Sequence, residues 1–197
     1  MTPVLIFSLS LIVLTIGAQY FLRPFSIYSG SIYLRWLTFV GASGLIAFLS
    51  YNTALQYLAW ATGGSVTRFL LPPYNTIGYF LFYSFTEFWA NYLIAAALGA
   101  IGYFAIRNYN HRHKEMLFYP EESLLCFLAF LMVGHPLWIL YLILLLLAVL
   151  LGTLYTHLIS KTRARVSFYY LWLPLALLTL ILSPMLERLN FIIYLSL

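Results

Sequence analysis

The chain has 197 residues, of which 63% are hydrophobic and only 8% charged, and its mean hydropathy is +0.93. Soluble domains carry roughly a quarter charged residues, so a water-soluble globular enzyme, a disordered chain and a disulfide-stapled secreted module are all excluded. The composition fits an all-α class: a polytopic integral membrane helical bundle forming one domain over residues 1–197, since a lipid-embedded backbone must satisfy its own hydrogen bonds.

An apolar run of about 18 residues or more crosses a bilayer core of roughly 30 Å. By that ruler the chain offers about seven spans, at 4–22, 36–59, 69–85, 89–106, 122–133, 137–159 and 168–182. The first lacks the positive charge that opens a signal peptide, so it is expected to be a true helix. The fifth is short because His135-Pro136 separates it from the sixth. Residues 185–197, with Glu187, Arg188 and Asn190 among apolar neighbours, suit a short interfacial helix. The 19% of aromatic residues, many near span ends, read as an interfacial belt.

The net charge of +5 is scattered between spans and speaks for topology, not for nucleic acid. Under a seven-span count Arg68, Arg107, Arg112, Lys114, Lys161, Arg163 and Arg165 share one side, against Arg23, Arg35 and Arg188. That count places the N-terminus in the cytoplasm, with the two arginines of the first loop against the rule.

Polar residues are few enough to take singly. All five acidic residues are glutamate and none is aspartate, so a mechanism requiring Asp is excluded; the lone Cys126 forms no intrachain disulfide. Adjacent Glu121 and Glu122 open the fifth span, where mutual repulsion could support acid–base chemistry. Pro120 and a glutamate in the first turn are also what a helix start prefers. His111-Arg112-His113-Lys114-Glu115 reads as a basic loop, because histidines at i and i+2 do not share a helix face. His135 and His157 bracket the sixth span roughly 30 Å apart and cannot act together. Gly41-Ala42-Ser43-Gly44 has the form of a rhomboid-type serine motif, yet one span precedes it and small residues serve helix packing equally well. Asn52 and Gln56, one turn apart, are expected to face other helices, as are the small residues Ala95, Gly99 and Gly102.

From about residue 64 to 183 the order of features resembles the type IV prepilin peptidases, inner-membrane aspartyl proteases. Arg68-Phe69-Leu70-Leu71-Pro72 stands at the first junction and 93–102 is the small-residue helix. Residues 118–122 precede Leu124-Leu125, followed by Gly134, Leu151-Gly152, the basic run 161–165, and Val166-Ser167-Phe168 leading to Pro174. The family's first aspartate would fall near Ser65 and its second near Glu121 or Glu122, so the resemblance implies a fold of that kind without its aspartyl chemistry. Glu121-Glu122 also resembles the double glutamate of CAAX-type membrane proteases, with Cys126 where their arginine stands.

The expected function is therefore a non-catalytic membrane subunit of a multi-protein envelope assembly, such as a pilus or secretion machine. One alternative is a diverged hydrolase or protease using Glu121 or Glu122 with Arg68 at the cytoplasmic face. A second is a small-solute transporter component, with Asn52 and Gln56 lining a path. No cofactor, metal or nucleic acid is expected; membrane lipids and other membrane subunits are the expected partners. The expected location is a cell inner membrane, with an organellar inner membrane as the alternative.

Overall fold

The computed structural model describes residues 3–21, 27–113, 118–158 and 168–188. Among these the regular structure is entirely helical: α1 Pro3–Phe21, α2 Ile27–Thr62, α3 Ser65–Arg68, α4 Ile77–Ser84, α5 Ala90–His113, α6 Glu122–Val133, α7 Trp138–Leu158 and α8 Trp172–Arg188. A π-helical turn, Phe85–Trp89, joins α4 to α5, and a 3-10 turn, Phe168–Tyr170, leads into α8.

Among the described residues five stretches are long and apolar enough to cross a membrane: Pro3–Phe21, Ile32–Thr62, Ile77–Arg112, Trp138–Leu158 and Phe168–Leu186. The expected count of seven is not confirmed. The third and fourth expected spans, 69–85 and 89–106, do not form separately, for two physical reasons. Pro72-Pro73 keeps helix from forming until Ile77. Residues 84–90 contain no glycine or proline, so Thr86-Glu87 is absorbed by one widened turn rather than ending the helix. The Thr86 hydroxyl donates to the carbonyls of Phe82 and Tyr83 there, at 3.0 and 2.9 Å. The same turn sets Trp89, whose indole N–H donates to Thr53 Oγ1 of α2 at 3.1 Å.

The fifth expected span forms as α6, but its 12 residues reach only about 18 Å, well short of a bilayer core. It is an interior post. Ten of its residues are buried, and it packs against α5, α8, α2 and α1. The approach of α5 depends on glycine. A Cβ at Gly102 would stand 2.6 Å from Cys126 Sγ, and one at Gly99 would stand 3.1 Å from the Phe127 carbonyl. Gly41 of α2 meets Leu11, Leu128 and Met132, and Gly44 abuts the Phe7 ring. Exposed Ser43 lies between them, so the rhomboid-like tetrad works here as a packing surface. Gly134, at φ 74°, ends α6 in a conformation that favours glycine.

α8 carries a proline inside its last turns, Pro184. Proline has no N–H for the carbonyl four residues back, which is that of Leu180. The Ser183 hydroxyl donates to that carbonyl at 2.8 Å and restores its partner. Residues 185–188 thus continue α8, and the rest of the expected interfacial helix, 189–197, lies outside the described residues.

Candidate functional site at one end of the bundle

Four elements meet where α1 and α5 end and where α6 and α8 begin. The Gln19 side-chain N–H group donates to the Tyr169 carbonyl at 2.6 Å, which latches the last turn of α1 to the turn before α8. Glu122 sits beside this latch and is fully buried. One of its oxygens accepts the backbone N–H of Tyr119 at 3.2 Å. The other accepts the indole N–H of Trp172 at 3.3 Å. Aromatic pairs close the same corner, Phe118 on Phe168 and Tyr119 on Tyr169, with ring centres 5.5 and 5.6 Å apart.

Burial pushes the Glu122 carboxyl above the ordinary carboxylate range; the bonds from Tyr119 and Trp172 pull it back, and neighbouring Glu121 adds to the rise. Desolvation is the largest of these effects. The side chain behaves as a strut between the 118–121 turn and α8, with both oxygens already engaged.

Glu121 has a different fate. It is only half-buried and lines an open cleft of about 1560 Å³ between α2, α5 and the start of α6. Arg35 of α2 and Tyr103, Arg107, Asn110 and His111 of α5 share its wall. Arg107 donates to the Tyr103 hydroxyl at 3.1 Å. The Asn110 side-chain oxygen is buried and has no hydrogen-bond partner among the described residues. The two adjacent glutamates are therefore divided between a sealed interior and a cleft, and do not form a shared acid–base pair.

The other expected site residues lie elsewhere. Arg68 ends α3 and is exposed, near the start of the helix Ile77–Arg112, whose stretch from Ile77 to the first cleft residue, Tyr103, is roughly 40 Å long. It does not partner Glu121 or Glu122. Ser65 begins the same short α3, at the end of the bundle opposite Glu121 and Glu122, so the two positions matched to the peptidase aspartates do not meet. His111 and Arg112 belong to the last turns of α5 rather than to a loop, while 114–117 lie outside the described residues. His135 accepts the Trp138 indole N–H at 3.0 Å. Asn52 and Gln56 are half-buried on α2, beside Thr53, which accepts from Trp89. Among the described residues no group of three His, Cys, Asp or Glu could hold a metal.

Comparison with known proteins leaves the site to speak for itself. No family model, curated protein or solved structure matches this chain.

Sequence reading missed Arg35, Arg107 and Asn110 as one group. A seven-span count puts Arg35 and Arg107 on opposite membrane faces, and only merging the third and fourth spans returns them to one end. Trp172 stands near the start of the last expected span, where an aromatic residue reads as part of the interfacial belt, and nothing local in the sequence pairs it with Glu122.

The strut has a pH signature. A carboxyl raised in the fold stabilises most below its ordinary unfolded value, and that stabilisation is lost as pH rises through the folded value. In detergent, the thermal stability of the wild type relative to Glu122→Gln should therefore fall as pH is raised from mildly acidic to neutral. A difference that stays flat or rises over that range would contradict the buried-carboxyl assignment.

Proposed function

We propose that the chain is a non-catalytic integral membrane subunit of a multi-protein envelope assembly. The observation that carries this reading is the packing of α7. It has the length and hydropathy of a full span, yet only Tyr141 and Leu145 of its 21 residues are buried. A helix so lightly held by its own chain has most of its surface free for neighbouring chains or lipid. The division of Glu121 from Glu122 adds support, because the most reactive-looking pair in the sequence is half consumed in holding the fold.

The setting we assign is a bacterial inner membrane machine such as a pilus or secretion assembly. It rests on the resemblance of residues 64–183 to the prepilin peptidases. The reading includes no shared-carboxylate chemistry, since the two matched positions are far apart.

We also assign an orientation that differs from the seven-span expectation. Among the described residues Arg35, Arg107 and Arg112 lie toward the helix ends that meet at the cleft, and in sequence Arg23 falls between α1 and α2, Lys114 between α5 and α6, and Lys161, Arg163 and Arg165 between α7 and α8. Arg68 and Arg188 lie near the opposite end. The positive-inside rule then places the cleft on the cytoplasmic side and the N-terminus opposite. The arginines of the first loop, anomalous in a seven-span count, now obey the rule.

Two measurements test this. Native mass spectrometry of the protein extracted from its own membrane in mild detergent should find stoichiometric partner chains; a clean monomer would contradict the subunit reading. For orientation, a membrane-impermeant maleimide should label Arg68→Cys in intact cells and Arg112→Cys only after permeabilisation. The reverse pattern would invert the topology.

A further inference from the structure

The cleft continues into an apolar groove on α2, and Arg35 belongs to both. The groove, about 460 Å³, is walled by Ile32, Trp36 and Phe39 together with Arg35. Trp36 and Phe39 are each 63% exposed and meet edge to face with centroids 6.1 Å apart. A polar, charged chamber thus opens beside an aromatic trough at the end of a membrane bundle. That is the polarity pattern of a phospholipid.

The chamber's charges narrow the headgroup. Arg35 and Arg107 present guanidinium donors from two different helices, and such forks match phosphate oxygens. His111, one turn beyond Arg107, adds a third donor on the same face. Glu121 stands in the same wall and would repel a second anionic group while attracting a cation. Asn110 supplies the independent observation. It is only 8% exposed, and its side-chain oxygen has no donor among the described residues. Asn110 lines the chamber, and its terminal amide torsion is soft, so a modest rotation is enough for the acceptor to meet a donor bound there. What it needs is an N–H donor. A primary ammonium has N–H groups and a quaternary ammonium has none.

We propose that the cleft binds a phospholipid with a primary-ammonium headgroup of the phosphoethanolamine type. The phosphate lies between Arg35 and Arg107, the ammonium lies toward Glu121 and Asn110, and an acyl chain rests on Trp36 and Phe39. This site does not depend on the subunit reading.

The full-length protein, stripped of lipid in dodecyl maltoside, is mixed with dioleoyl phosphatidylethanolamine, phosphatidylcholine or phosphatidylglycerol and read by native mass spectrometry. Retention of the ethanolamine lipid should exceed that of either other lipid by about tenfold, the factor that one charge-assisted hydrogen bond supplies. Arg35→Gln and Arg107→Gln should lower retention of all three lipids. Glu121→Gln should remove the discrimination against phosphatidylglycerol. All three side chains lie at the surface or are only half-buried, and an unchanged melting temperature in detergent confirms that each variant is folded. Free O-phosphoethanolamine separates the sources of the headgroup: weak binding that is insensitive to Trp36→Ala, beside lipid binding that is reduced by it, supports the lipid. Free phosphoethanolamine held as tightly as the lipid would overturn the groove assignment. Equal retention of the three lipids, retention unchanged in Arg107→Gln, or a preference unchanged in Glu121→Gln, would overturn the site.

Discussion

A carboxylate sealed from solvent is the constraint around which this bundle is arranged. Burying such a group is unfavourable unless its oxygens are met by donors, and Glu122 meets both requirements from different parts of the chain. Tyr119 supplies a backbone N–H from the turn before α6, and Trp172 supplies an indole N–H from the start of α8. The carboxylate therefore holds α6 and α8 in register at one end, and the Gln19–Tyr169 latch brings α1 to the same place. The cleft lies beside this corner, because Pro120, Glu121 and Ser123 line it while Glu122 holds their turn. A residue that looks like half of a catalytic dyad in the sequence is the fastening beneath the cleft wall.

The second constraint is length. α6 is too short to cross a bilayer and is wrapped by longer helices, so it organises the interior while the long helices carry the exposed apolar surface. Glycines at 99 and 102 let α5 lie close against it, and Gly41 does the same for α2. The long α4–π–α5 helix then carries Arg107 and His111 to the end where Arg35 begins its descent along α2. From one continuous helix follow the cleft and the meeting, in its wall, of two arginines distant in sequence.

Much of this was legible in the residues. Hydropathy identified α1, α2, α7 and α8 as spans, because each is an unbroken apolar run bounded by charge or proline. Small residues at Gly99 and Gly102 marked the α5 face that packs. The helix count failed between 69 and 89 because composition cannot distinguish a polar pair that ends a helix from one absorbed by a π turn. That single error moved Arg35 and Arg107 to opposite faces and hid the cleft. Glu122 was read as a helix-start residue from Pro120 and its place in the first turn, and it does open α6. Its indole partner, 50 residues away, leaves no local trace. An orphaned acceptor such as Asn110 can be recognised only when its surroundings are known.

The central claim is that Glu122 is a structural fastening made through Trp172. A double-mutant cycle measures it most directly, with Glu122→Gln, Trp172→Phe and the combined variant compared by unfolding in detergent. The account predicts that the double variant is less destabilised than the two single effects added together, by about 1 kcal/mol or more. Effects that add to within about 0.5 kcal/mol would mean that the two side chains act independently, and would contradict it.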